Sequence, residues 1–209
     1  MKVKICGITD VGAAIAAVDS GADAIGFVFA ESKRKIDVNN ARDIAAELPS
    51  NIMKVGVFVN ETKEEIERIG QAVGLTHVQL HGNESAELSK SLSFPVIKAL
   101  GVEGFDSLEA MKDYPCEYLL LDGPKGKYHG GNGLAFDWGI LKDQKELFGK
   151  KIILAGGLHE GNVLEAIRQV CPYMIDVSSG VETDGIKDLN KIKKFIEMVK
   201  GSIAGRKLT

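Results

Sequence analysis

Two side chains in this sequence stand where they can move protons. Cys6 closes the run Lys2-Val3-Lys4-Ile5-Cys6, just before Gly7, and Asp122 closes the run Leu119-Leu120-Leu121-Asp122, just before Gly123. A thiol with a pKa near ~8.5 is about a few per cent thiolate at pH 7, enough to serve as a soft base. A carboxyl near ~3.9 is protonated in roughly one molecule in a thousand at that pH, and partial burial or a nearby anionic substrate raises the share. Each residue also has a plainer reading. Free cysteines are usually small buried core residues, and Asp-Gly is a common solvated turn.

Other residues surround these two in the pattern. Ala155-Gly156-Gly157-Leu158 and Asp176-Val177-Ser178-Ser179-Gly180-Val181-Glu182 both follow apolar runs. Gly-rich turns expose backbone N–H groups, and the serines add hydroxyl donors. Gly156, Gly157, Ser178, Ser179 and Gly180 therefore form a candidate phosphate site. Arg34, in Ser32-Lys33-Arg34-Lys35, is either one cation of a solvated loop or a bidentate grip for a substrate carboxylate. His81, before Gly82, is either a substrate contact or a partner for a loop carbonyl. Lys4 shares a strand face with Cys6 and is expected to lower its pKa. A buried Lys4 needs a partner, and Asp176, which also points toward bound substrate, is the expected one; otherwise Lys4 reaches solvent at the barrel floor. His77, His129 and His159 lack ligand spacing, so no metal is expected.

The elements that must carry these residues are short apolar runs alternating with helix-period segments. After the first strand at Lys2, strands are expected over 24–29, 53–59, 78–81, 95–100, 117–122, 151–155 and 174–178. Helices are expected from Asp10 through Ser20, over 38–48, from a cap at Asn60 through Val73, and over 84–91, 107–113, 137–148 and 160–170. A last helix carries Ile192, Phe195, Ile196 and Val199 at i, i+3, i+4 and i+7. Strands that each return through a helix pair in parallel. Their ends recur at 6, 29, 59, 81, 99, 122, 155 and 178. Eight near-equal units over 1–209, with no linker, indicate a single-domain α/β protein, a (β/α)8 TIM barrel, although a doubly wound sheet is the alternative. In such a barrel every candidate above falls at the carboxyl ends of the strands. The loop from Gly123 to Gly133, with Lys125 and Lys127, reads as a mobile lid. Gly131-Asn132-Gly133 lacks the context of a dinucleotide fingerprint.

Bulk properties narrow the class. The 209 residues carry 26 Lys+Arg against 29 Asp+Glu, so no basic excess points to nucleic acid. Three widely spaced cysteines, Cys6, Cys116 and Cys171, fit a reducing compartment rather than a disulfide frame. No secretory h-region or membrane-length apolar run is seen. A soluble cytoplasmic protein is expected, acting on a small phosphosugar, without nucleic-acid or membrane partners, as a monomer or homodimer.

Taken together, the sequence resembles phosphoribosylanthranilate isomerase. The matching stretches are Lys4-Ile5-Cys6-Gly7-Ile8-Thr9, Gly26-Phe27-Val28-Phe29, Val55-Gly56-Val57-Phe58-Val59-Asn60, Val78-Gln79-Leu80-His81-Gly82, Leu120-Leu121-Asp122, Phe136-Asp137-Trp138, Leu154-Ala155-Gly156-Gly157-Leu158 and Asp176 to Glu182. They run in order over nearly the whole chain. Ala30-Glu31 stand where that family often has a proline, a departure that falls in the loop carrying Arg34. The resemblance implies a cofactor-free Amadori rearrangement with Cys6 as general base and Asp122 as general acid. A related phosphosugar barrel, the histidine-pathway isomerase, uses a carboxylate where Cys6 stands. A phosphosugar-binding barrel without turnover is the non-enzymatic alternative.

Overall fold

Strands with two apolar faces need cover on both sides, and parallel strands joined by helices get it from the helices outside and from one another inside. The structure, a computed structural model, describes residues 1–102, 104–123, 138–141 and 146–204. Its barrel strands are β1 (Lys2–Cys6), β2 (Ala24–Val28), β3 (Met53–Phe58), β4 (His77–Leu80), β5 (Val96–Gly101), β6 (Tyr118–Asp122), β7 (Lys150–Leu154) and β8 (Met174–Val177). Each pairs in parallel with the next, and β8 pairs with β1 through Lys2↔Met174, Lys4↔Asp176 and Ile5↔Val177, so the ring of eight closes. The expected barrel is the one observed.

Alternation sorts the side chains. Ile5, Phe27, Leu80, Leu121, Leu154 and Val177 join the large cluster between sheet and helices, while Ala24, Val55, Ile97, Leu120, Ile153 and Met174 fill the barrel interior. Helices α1 (Val11–Asp19), α2 (Val38–Glu47), α3 (Lys63–Val73), α4 (Ala86–Ser91), α5 (Phe105–Glu109), α6 (Val163–Val170) and α7 (Leu189–Ala204) form the outer layer. Asp10, Asp37, Thr62 and Ser85 cap the first four by accepting from Ala13, Asn40, Glu65 and Leu88 N–H groups. No helix of the described residues is long and apolar enough to cross a membrane.

Some expectations fail locally. Thr62, not Asn60, caps α3; Asn60 takes φ +52° and its Oδ1 accepts from Asn83 N–H at 2.7 Å, joining the loops after β3 and β4. The helix expected over 137–148 is in its described parts a 3-10 turn, Trp138–Leu141, and a two-residue strand, Glu146–Leu147, antiparallel to β7. Residues 182–187, given no element by periodicity, form a small hairpin in which Glu182–Thr183 pairs with Ile186–Lys187. Asp184 and Gly185, both at positive φ, make its turn. Beyond Gly123, the expected lid and Lys125, Lys127, His129 and Asp137 lie outside the described residues.

On the outer face of β5, a buried charge secures the loop that carries His81. Lys98 Nζ donates to Glu84 Oε2 at 2.6 Å and to Gly82 O at 2.7 Å. Glu84 also accepts from the N–H groups of Gly82 and Asn60 at 2.8 and 2.9 Å. Burial alone would raise the Glu84 carboxyl, but Lys98 and the Asn60 N–H outweigh it and hold it below its ordinary value. Its stabilising effect is therefore full above the ordinary glutamate range and fades as pH falls through the lowered value. Glu84→Ala should cost about 3–5 kcal/mol in urea denaturation at neutral pH; a loss under about 1 kcal/mol would show that the network is dispensable.

Candidate active site

Because all eight strands run the same way, their carboxyl ends share one rim, and there lies a cavity of about 530 Å³. Cys6 reaches it from β1, Gln79 and His81 from β4, Asp122 from β6, and Asp176 and Ser178 from β8. Cys6 and Asp122, expected at one rim, do line one cavity. In ring order the turns after β7 and β8 stand between them. Val28, Phe29, Val57 and Val59 form an apolar wall on the β2–β3 side.

Those two turns interlock because their glycines lack side chains. A Cβ on Gly156, whose φ is +83°, would lie 2.4 Å from Gly123 N and 2.8 Å from Asp122 Oδ1. A Cβ on Gly180 would lie 2.0 Å from Leu158 O. Asn162 ties the first turn, donating to Gly157 O and accepting from His159 N–H, both at 2.9 Å. Among the described residues the N–H groups of Gly157, Ser179 and Gly180 donate to no acceptor, the state of an anion cradle. Gly156, Gly157, Ser178 and Ser179 line the cavity; Gly180 is set behind them as a packing contact.

The expected Lys4–Asp176 contact is present. Lys4 is fully buried and its Nζ donates to Asp176 Oδ1 at 3.0 Å. Burial alone would lower the Lys4 ammonium, yet Asp176 and Cys6 together hold it above its ordinary value. Gly26 leaves the room this needs, since a Cβ there would lie 2.9 Å from Cys6 Sγ and 3.3 Å from Lys4 Cε. Lys4 was expected to lower the Cys6 pKa. It does pull in that direction, and Lys187 adds to it, but burial is the larger effect and Asp176 reinforces it, so the thiol sits above its ordinary value.

Arg34 also reaches the cavity, with its Cδ lying 2.4 Å from where a Gly7 Cβ would stand. Its Nε and Nη2 donate to Glu182 Oε1 and Oε2 at 2.6 and 2.9 Å, so one edge of the guanidinium is already engaged. Asp122 Oδ1 accepts from Gly123 N–H at 2.7 Å. Its Oδ2 stands 3.7 Å from His81 Nε2, and Gln79 Nε2 lies 3.1 Å from His81 Nδ1. His81 thus stands beside the acid in the cavity, with Gln79 at its other ring nitrogen.

Three neighbours were given no role from sequence. Gln79 could have been found by strand alternation with His81. Glu182 ends the Gly-Val-Glu run, but nothing local says that it reaches Arg34. Lys187 carried no signal; the hairpin buries it and aims Nζ at Glu182 Oε1 and at Ser178 O, 2.5 and 3.0 Å away.

Alkylation of Cys6 by iodoacetamide, followed by mass spectrometry of its own peptide, should titrate with a midpoint above the ordinary thiol range. Lys4→Met should move that midpoint further up and lower stability by about 3–5 kcal/mol, because Asp176 is left buried without its cation. An unchanged midpoint in the variant would show that Lys4 does not support the thiolate.

Comparison with known proteins adds an independent line. A family model described as N-(5'phosphoribosyl)anthranilate (PRA) isomerase matches residues 3–198. The N-(5'-phosphoribosyl)anthranilate isomerase of Bacillus mycoides strain KBAB4 is 57% identical over 200 residues, covering 96% of this chain and 98% of the relative. That of Bacillus cereus strain G9842 is 56% identical over 196 residues, covering 94% and 96%. The crystal structure of phosphoribosyl anthranilate isomerase from Thermotoga maritima superposes with a TM-score of 0.89 at 44% identity, covering 96% of this chain and 99% of that one. Another such isomerase, solved in complex with reduced 1-(o-carboxyphenylamino)-1-deoxyribulose 5-phosphate, superposes with a TM-score of 0.85 at 43% identity and the same coverage. With residues 3–198 matched by the family model and its barrel shared, this chain belongs to the N-(5'-phosphoribosyl)anthranilate isomerase family and is an isomerase.

Proposed function

We propose that the rim cavity carries out the Amadori rearrangement of N-(5-phosphoribosyl)anthranilate to 1-(2-carboxyphenylamino)-1-deoxyribulose 5-phosphate, a step of tryptophan biosynthesis, with Asp122 as general acid and Cys6 as general base. The observation that carries this reading is the placing of one thiol and one carboxyl on either side of two donor-rich turns in a single cavity. A related isomerase binds a reduced form of that product.

Each part of the substrate has a matching group. The 5-phosphate sits in the turns at Gly156-Gly157 and Ser178-Ser179-Gly180, where the N–H groups of Gly157, Ser179 and Gly180 have no other acceptor among the described residues. The anthranilate ring rests on the wall that includes Phe29 and Val57, and its carboxylate meets Arg34. His81 and Asp176 border the ribose. Asp122 donates its proton to the furanose ring oxygen as the bond from that oxygen to C1′ breaks, and the anilino nitrogen lone pair forms the C1′=N Schiff base. The Cys6 thiolate then removes the C2′ proton. The released electron pair makes the C1′=C2′ bond, and the iminium electrons return to nitrogen. The resulting enolamine loses its 2′-hydroxyl proton, gains one at C1′, and becomes the ketone. No electron leaves the substrate, so the chemistry needs no redox partner. Cys6 is buried and held above its ordinary pKa by that burial, and Lys4 and Lys187 oppose the rise. The active thiolate is therefore a minor form at neutral pH, stabilised by two cations.

Turnover is followed by the loss of fluorescence of freshly made phosphoribosylanthranilate. Cys6→Ala and Asp122→Asn should each lower kcat by about 10²–10⁴-fold with circular dichroism unchanged; near-wild-type rates in either would refute the acid–base assignment. Arg34→Ala should act mainly through KM, and an unchanged KM would remove Arg34 from carboxylate binding.

A further inference from the structure

We propose that Glu182 is a positioning residue that holds the Arg34 guanidinium in the orientation that receives the substrate's aromatic carboxylate, and so sets selectivity for a carboxylated ring. The inference rests on the isomerase reading above and extends it to a residue that touches no substrate.

The Arg34 side chain is long and rises from the loop after β2, where no regular element supports it. Freezing such a chain on binding costs rotamer entropy. Two contacts have already frozen it. Its stem lies against the bare backbone of Gly7, and its Nε–Nη2 edge is forked by both oxygens of Glu182. A two-bond fork between planar groups fixes the guanidinium plane as well as its position. It also leaves the Nη1 edge, with its two N–H donors, for a ligand.

Glu182 is itself held. It stands on the hairpin after β8, 148 residues from Arg34, and accepts from Lys187 Nζ at 2.5 Å. Lys187 in turn donates to Ser178 O, and Ser178 Oγ donates to Cys6 O at 2.9 Å. The fork therefore hangs from a buried chain that ends at the base and at the turns expected to carry the phosphate. Burial alone would raise the Glu182 carboxyl, but Arg34 and Lys187 outweigh it and keep it below its ordinary value, so it stays an anion across the neutral range.

The sign of its effect on binding follows from the charges. Glu182 could in principle compete with the substrate carboxylate for Arg34. Two cations, Arg34 and Lys187, surround this one anion; burial lowers the Lys187 ammonium from its ordinary value while Glu182 and Cys6 oppose the fall, and with both protonated the cluster is net positive toward an incoming carboxylate. Only one guanidinium edge is occupied. Orientation is gained and the attraction survives.

The test compares phosphoribosylanthranilate with the analogue made from aniline, which lacks the carboxylate, and reads the ratio of their kcat/KM values. Wild type should favour the carboxylated compound. Glu182→Gln keeps the size but loses the anionic fork, and should reduce that ratio by roughly tenfold or more, chiefly through KM. Glu182→Asp keeps the charge that Arg34 and Lys187 require while shortening the reach, and should shift the ratio in the same direction even if the glutamine variant folds poorly. Combined with Arg34→Ala, the Gln substitution should add nothing further to the change in ratio. A ratio equal to or above wild type in both Glu182 variants, or an equal loss for the two substrates, overturns this inference alone. A wild-type chain that turns over neither compound overturns the isomerase reading itself.

Discussion

Lys4 and Asp176 meet across the seam where the last strand closes on the first, 172 residues apart. Much of the rest depends on that meeting. The two are register partners, so the pair forms only if β8 lies against β1 in this alignment; a slip of one strand by one residue would turn its charge into the outer apolar layer and leave the other buried alone. Buried pairs of this kind gain little net stability, since desolvation offsets the attraction, but leaving one member alone is costly. The pair thus acts against wrong registers more than in favour of the right one. It also puts an ammonium beneath Cys6, in the interior where charge is least screened.

Around this seam, absent side chains matter as much as present ones. Gly26 gives its space to Cys6 and Lys4, Gly7 to the Arg34 stem, Gly156 to Asp122, and Gly180 to the carbonyl of Leu158. In each case bare backbone lets a chemically active group, or the turn beside one, come within contact of a neighbouring strand end. Close packing leaves no other room for these groups. The rim is accordingly a set of interlocked loops, and its polar groups are placed by close approach to bare backbone together with side-chain ion pairs.

Electrostatically the cavity is built in two tiers. The lower tier is the fully buried Lys4 with Asp176, and the upper tier is Glu182 shared between Arg34 and Lys187. Cys6 lies between cations of both tiers, yet its burial outweighs their pull. A thiol kept protonated at rest is protected from oxidation and alkylation, and it stands beside cations that favour its anion once the proton leaves.

Much of this was legible along the chain. The eight strands, the Asp10 cap, the inward turn of Asp122 and the partnership of Lys4 with Asp176 all follow from period-2 and period-3.6 patterns plus the rule that a barrel's last strand lies beside its first. Other features were not legible. Asn60 looked like a cap because a polar residue before a helix usually is one, but its left-handed backbone turns it toward Asn83. The hairpin over 182–187 is too short for periodicity to register. Local patterning thus settled which residues face the interior and at which end of the barrel they gather, because alternation and capping act over a few residues. Closure of the ring decided the rest: that Glu182 forks Arg34, that Lys187 is buried behind Ser178, and that desolvation outweighs Lys4 at Cys6. Those outcomes depend on distance and dielectric between strand ends far apart in the chain, and no short stretch of sequence carries either quantity.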